Sequence, residues 1–165
     1  MRDIGEYLRL TADELARLKE DPVWAWDHME DVREGEEHTE PAPADALYFT
    51  TYTAWPLLGL LFRRAGFPVD VSRGDARVVY PDPTAGDYGY LTADRVAVAA
   101  RELAALPYDR LAAHAEPEEL AGRGLCRYDW DGAATLEWAR HFYDGLTAYF
   151  AAAARDGHAV LVWQL

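Results

Sequence analysis

The sequence predicts a single α+β domain in which helices dominate and a small sheet joins the two ends of the chain. Three observations support this prediction: an extended segment near each end, several segments of helical spacing between them, and 165 residues of which 50% are apolar. A chain of this length buries roughly 70% of the surface that its unfolded form exposes, which is enough for one core without disulfides. We therefore treat residues 1–165 as one domain.

The first predicted strand runs into a helix with a strong N-terminal signal. Thr11 is followed three residues later by Glu14, which is the reciprocal pattern of a capping box. Asp21 and Pro22 end this helix and start a second one, since proline is tolerated in the first turn, where its missing N–H has no helical partner. We expect the second helix over residues 23–32, followed by a solvated loop.

The middle of the chain predicts a strand, a helix and an irregular connection. Residues 48–49 form a brief strand, and Thr53 is placed to cap a helix over residues 54–64. Residues 67–90 are rich in Gly, Pro and Asp, which predicts an irregular segment with at most a short strand at 77–80. These short central strands would extend the sheet.

The second half of the chain predicts the longest helix and the last strand. Thr92 can cap a helix whose apolar residues recur every three or four positions, and Pro107 ends it. After two short helical turns, an apolar stripe of helical spacing continues from about residue 132 to Arg155. The β-branched, apolar end from His158 onward must be paired and covered to stay soluble, so we expect it beside the N-terminal strand.

Four segments of the chain carry a resemblance to a known family. They are 4–15 (IGEYLRLTADEL), the tryptophan-bearing helix 54–61, the helix entry 88–96 and the closing helix and strand 149–165. Together they resemble the YfbM-like family, small bacterial domains of unknown function. The resemblance implies an α+β fold for the whole chain and implies no activity. Pro56 and Gly59 stand where the family tends to have Asp and His.

The charge balance is strongly acidic, because 29 Asp and Glu residues stand against 16 Lys and Arg residues, a net charge of −13. A field of that sign repels phosphate backbones and anionic lipid head groups, so nucleic acids and membrane surfaces are poor partners. No apolar run has the length of a signal peptide or a membrane span, and the lone Cys126 has no second cysteine to pair with. We expect a cytoplasmic protein.

Acidic residues are concentrated between Asp27 and Asp45, where eight carboxylates accompany a single basic residue, Arg33. Since Pro41 and Pro43 interrupt it, the later part of this stretch is expected to be a solvated loop. A negative segment steers positively charged partners toward a protein. We therefore expect a non-catalytic protein-binding module with a basic protein partner. The candidate partner-binding residues are Glu34, Glu36, Glu37 and Glu40.

A second hypothesis is a small enzyme or ligand-binding protein with a cleft near Trp130, Glu137, His141 and Asp144. On a helix, Glu137 and Asp144 lie four and three residues from His141 on the same face. An imidazole between two carboxylates can act as a general base, and Trp130 would add an aromatic contact. The ordinary interpretation, which we favour, is an exposed helix face that balances its own charges.

Other chemistry has little support in the sequence. None of the five histidines forms a His-x-x-x-His spacing, so no metal site is predicted. The one serine, Ser72, lacks the glycines of a nucleophile elbow, and Cys126 has no evident base beside it. The turn at 122–124 lacks the glycine spacing of a phosphate-binding loop. We expect no cofactor.

Overall fold

Five antiparallel strands form one sheet. In chain order they are β1 (Gly5–Leu10), β2 (Tyr48–Tyr52), β3 (Ala76–Val78), β4 (Tyr88–Leu91) and β5 (Ala159–Gln164). Their order across the sheet is β2-β1-β5-β4-β3 in a computed structural model that describes residues 4–82, 84, 88–120 and 132–164. The central strands β1 and β5 pair along their whole lengths and are buried at every position. The predicted pairing of the two chain ends is therefore confirmed.

Helices cover both faces of this sheet. In the described residues they are α1 (Ala12–Glu20), α2 (Pro22–Glu37), α3 (Trp55–Arg64), α4 (Ala93–Ala105), α5 (Tyr108–Ala112), α6 (Pro117–Leu120) and α7 (Gly132–Arg155). Leu8, Leu161 and Trp163 pack with α1 and α2 on one face. Tyr7 and Val162 pack with α3, α4 and α7 on the other face. The α+β class is confirmed, because side chains alternate between two helical layers along each central strand.

The N-terminal junctions follow the sequence closely. The Thr11 hydroxyl accepts a hydrogen bond from the Glu14 N–H at 3.2 Å, and the Glu14 carboxylate accepts one from the Thr11 N–H at 2.8 Å. The Asp21 carboxylate accepts from the Trp24 N–H at 3.2 Å, and α2 then begins at Pro22. The capping box and the helix boundary at Pro22 are both confirmed.

Helix α2 is longer than the sequence predicts. It continues to Glu37, so Glu34, Glu36 and Glu37 lie on the helix, and only Glu40 lies in the turn that follows. The expected loop was wrong for the first three residues. Charge patterning favours solvation but does not oppose a helix, because glutamate is itself a good helix former. Burial of Met29 against the sheet anchors the helix, which can then extend into solvent.

Two further expectations differ from the structure. Residues predicted to be irregular include strand β4, which forms because it pairs with β5 along Tyr88–Leu91. Tertiary pairing here decides what local composition does not. Thr53 does not cap α3, whose N-cap position is Ala54, and Thr92 begins α4 without a side-chain hydrogen bond. Both threonines therefore mark a helix start without supplying the cap.

The buried Arg9 connects the beginning of the chain to its end. Its Nε donates to His158 Nδ1 at 3.1 Å, and its guanidinium pairs with Asp156 and donates to two main-chain carbonyls. The pKa of Asp156 is lowered to about 2, first by its hydrogen bond with Arg155 and then by that with Arg9. Burial and the Arg9 charge lower the pKa of His158. This cluster fixes the end of α7 against the sheet.

Candidate functional site

An open groove with a volume of about 980 Å³ lies between the end of α2, the edge strand β2 and the middle of α7. Three separate parts of the chain supply its walls. They are the acidic and proline residues Glu36, Glu37, Glu40, Pro41 and Pro43, the β2 residues Tyr48, Phe49, Thr50 and Tyr52, and the α7 residues His141, Phe142, Asp144 and Gly145. The groove thus brings together residues from both functional hypotheses.

The acidic residues of α2 and its following turn do not share one role. Glu37 and Glu40 are exposed on the wall of the groove, whereas Glu34 is exposed outside it. Glu36 is half-buried, and its carboxylate accepts hydrogen bonds from the N–H groups of Leu47 at 2.7 Å and Tyr48 at 3.0 Å. Glu36 therefore holds the start of β2 against α2, in addition to facing the groove.

The predicted cluster on α7 is only partly assembled. Glu137, His141 and Asp144 are all exposed, and His141 and Asp144 line the groove while Glu137 does not. Glu137 forms an ion pair with Arg140 at 3.1 Å. Within the described part of the chain, no hydrogen bond joins His141 to either carboxylate. Trp130 lies outside the described residues.

Aromatic side chains form much of the remaining wall. Tyr52 lines the groove with 56% of its surface exposed. Its backbone φ is 44°, and that of Glu40, which also lines the groove, is 42°; this region is unfavourable for both residue types. The Tyr52 ring meets the edge of Phe142 at 6.1 Å between ring centres. Exposed tyrosine beside phenylalanine offers a large contact area at low cost in side-chain entropy. This is a surface suited to a binding partner.

The floor of the groove contains a buried carboxylate. Glu6, on β1, is only 5% exposed, and its Oε1 accepts from the Tyr48 hydroxyl at 2.7 Å. Its Oε2 is buried and has no hydrogen-bond partner among the residues that the structure describes. Burial and the hydrogen bond to Glu6 raise the pKa of Tyr48 far above its usual range, so the hydroxyl keeps its proton and remains a donor.

The groove concentrates negative charge. Among the residues that the structure describes, five carboxylates line it, from Glu6, Glu36, Glu37, Glu40 and Asp144, against a single guanidinium, that of Arg33. Arg33 is itself paired with Glu30 at 2.5 Å on the same helix. A concave surface with one sign of charge focuses the field and attracts counter-charges. The electrostatics therefore favour a cationic ligand.

Sequence reasoning missed three residues of this site, Glu6, Tyr52 and Phe142. Glu6 had a visible signal, because it is one of two charged residues, with Arg9, in a strand whose other residues are glycine, tyrosine and leucine. Tyr52 and Phe142 had none, since single aromatic residues in a strand or helix usually fill a core.

The described residues offer little for metal or membrane chemistry. No three His, Cys, Asp or Glu side chains within them are placed to hold a metal ion. None of the helices they form combines the length and the apolar character needed to cross a bilayer.

The fold defines an α+β domain whose antiparallel sheet lies between two helical layers. The family model described as domain of unknown function (DUF1877) matches residues 1–163, and the chain belongs to that family. Among solved structures, the chain is similar to YfbM from Escherichia coli, described as a protein of unknown function. The two share 14% identity and a TM-score of 0.64 over 98% of this chain and 99% of that one.

At this level of identity the likeness shows a common fold. The search of curated proteins found no match. The predicted membership of a YfbM-like family is thus confirmed.

Proposed function

We propose that this DUF1877 domain is a non-catalytic protein-binding module whose acidic groove receives a basic segment of a partner protein. The observation that carries the proposal is the convergence of Glu37, Glu40 and Asp144 on one groove with the exposed Tyr52. Carboxylates at the rim speed the approach of a positive partner and select against negative ones. The aromatic wall would supply the apolar contact that charge alone does not.

The size of the groove supports a segment rather than a flat surface as the ligand. Its volume of about 980 Å³ matches the upper end of pockets that enclose small ligands. An open groove of this size can hold part of an extended peptide. A basic peptide would neutralise the groove carboxylates while placing its aliphatic stems on Tyr52 and Phe142.

The test is fluorescence anisotropy with a labelled octapeptide of alternating lysine and glycine, compared with the same peptide carrying glutamate. The double variant Glu37→Gln/Glu40→Gln should bind the basic peptide about tenfold more weakly, as removal of two rim charges worth about 0.7 kcal/mol each predicts. Raising the salt from about 50 to about 300 mM should weaken binding to the unmodified protein as well.

The matched control is Asp31→Asn/Glu34→Gln, which removes the same number of charges at two exposed positions of α2 outside the groove. Its affinity should stay within about twofold of the unmodified protein, since distant surface charges are largely screened. Equal losses in the two double variants would mean that only net charge attracts the peptide. The groove would then have no part in binding.

A second candidate, a small enzyme or ligand-binding protein, is favoured by the position of His141 and Asp144 on the groove wall. Glu137 contributes less to it, because its carboxylate faces Arg140. For this candidate, His141 would act as the base and Asp144 would orient it. The variant His141→Asn should then abolish turnover of any substrate found while leaving basic-peptide binding within about twofold.

A further inference from the structure

Glu6 lies in a row of side chains that crosses the whole sheet. Glu6, on β1, pairs with Thr50 on the neighbouring strand β2 and with Trp163 on the other neighbour, β5. Trp163 in turn pairs with Tyr88 on β4. Because Leu8, two residues on, packs with α1 and α2, Glu6 faces the same helices. Of this row, Glu6 and Thr50 line the groove, whereas Trp163 and Tyr88 do not.

This row contains an unusual number of unsatisfied polar atoms. Glu6 Oε2, Trp163 Nε1 and the Tyr88 hydroxyl are all buried without a hydrogen-bond partner in the described part of the chain, and so is Nε of Arg33 on α2. Buried polar atoms almost always have partners, so each one that lacks a partner calls for an explanation, such as an ordered water or a bound group. Of these four atoms, only Glu6 Oε2 is an acceptor on the groove wall, since Arg33 Nε and Trp163 Nε1 carry N–H groups and Tyr88 does not line the groove. Glu6 Oε2 is therefore the position where a donor from a ligand fits.

The free carboxylate oxygen decides the chemistry of that ligand. Oε1 of Glu6 is already occupied by the Tyr48 hydroxyl, so Oε2 needs a further donor. A charged donor satisfies a buried carboxylate better than a neutral one does. The nearest basic side chain on the groove wall, Arg33, is directed to Glu30 instead. The Oε2 atom of Glu6 is thus left for a donor from outside.

We propose that Glu6 is the recognition carboxylate for a single cationic head group, a primary ammonium or a guanidinium, that enters from the groove and reaches Oε2. Arg33 stands at the entrance with its side chain 30% exposed and turns aside when the head group enters. The assignment of this cation to a lysine or arginine side chain of a partner protein rests on the proposed function. The recognition of the cation itself does not.

The experiment titrates ¹⁵N-labelled protein with n-butylammonium, butylguanidinium and the neutral alcohol n-pentanol. The indole N–H signal of Trp163 and the backbone amide of Glu6 report on the site. Both cations should shift these signals saturably, and the alcohol should not. Glu6→Gln should weaken cation binding at least tenfold, whereas Arg33→Met should strengthen it several-fold because it removes a competing positive charge at the entrance.

The two variants have opposite expected signs, so loss of structure cannot imitate the result. Glu37→Gln is the matched control at the rim, and it should change affinity for the small cations less than threefold. The proposal is overturned if neither the unmodified protein nor Arg33→Met gives a saturable shift. It is also overturned if a crystal soaked in n-butylammonium shows only water on Glu6 Oε2.

The labelled basic peptide separates this inference from the proposed function. If Glu6→Gln leaves the binding of both the small cations and the peptide unchanged, the role of Glu6 is overturned and the protein-binding function stays in place. Saturable binding of the small cations without peptide binding supports the cation site and removes the protein partner, which makes a free amine or guanidine compound the ligand.

Discussion

Replacing Glu36 by alanine separates the structural role of this carboxylate from the binding role of its neighbours. The change removes the acceptor for two backbone N–H groups, those of Leu47 and Tyr48. A hydrogen bond to a charged group contributes about 1.5–3 kcal/mol when it is shielded from water. The Leu47 bond is solvent-exposed and is counted as minor, so the expected loss of unfolding free energy is about 2 kcal/mol.

For a domain of 165 residues, this loss corresponds to a decrease in Tm of about 4–8 °C. Differential scanning calorimetry and urea unfolding should both report it, with an unchanged m-value. The matched control is Glu37→Ala, which removes the same charge and gives the same gain in helix propensity at an exposed position. Its stability should change by no more than about 0.5 kcal/mol.

Equal stability of the two variants would refute this reasoning. The two hydrogen bonds of Glu36 would then be no better than those that the N–H groups make with water. Glu36 would then only line the groove, as Glu37 and Glu40 do, and would have no structural role.

Two further predictions concern the sheet and its pH dependence. A Cβ at Gly5 would lie 2.0 Å from Trp55 Cδ1, so Gly5→Ala should lower the unfolding free energy, measured by chemical unfolding, by about 3 kcal/mol. The control Gly35→Ala places its Cβ in open space on α2, so the gain in helix propensity should raise the unfolding free energy by about 1 kcal/mol. The pKa of His158 is lower in the folded state than its ordinary value of about 6.5. The stability that the neutral imidazole contributes is therefore full above about pH 6.5 and is lost as the pH falls from there through the lower folded-state pKa. The variant His158→Asn keeps an acceptor for Arg9 but does not titrate. Its unfolding free energy should therefore fall less between about pH 7.5 and 5 than that of the unmodified protein. Parallel plots of unfolding free energy against pH would contradict this.

Local sequence signals were enough to predict several helices and the pairing of the two end strands. The capping box at Thr11, the boundary at Pro22 and the long apolar stripe of α7 depend on residues within one or two turns of each other. The pairing of the chain ends followed from a solubility argument, since a strand as apolar as β5 must be covered. Each of these features is decided by nearby residues or by burial alone.

The site could not be predicted in the same way, because its geometry depends on tertiary contacts. Glu36 was grouped with Glu34 and Glu37 on charge, yet only Glu36 meets the N–H groups at the start of β2. Strand β4 exists because β5 lies beside it. The buried carboxylate of Glu6 is meaningful only once Tyr48 and Trp163 are known to be its neighbours.

The close approach of α7 to β2 turns two sets of acidic residues into one site, and Gly145 makes this approach feasible. Glycine inside a 24-residue helix costs about 1 kcal/mol relative to alanine, so its presence calls for a reason. A Cβ there would lie 2.9 Å from the Phe49 ring and 3.5 Å from Pro43, both on the groove wall. Because Phe49 also stacks on Tyr149 at 5.3 Å, the ring has little freedom to withdraw. The helix therefore gives up stability at the position where a Cβ would meet the Phe49 ring, and the result is a groove that Asp144 lines together with Glu37 and Glu40.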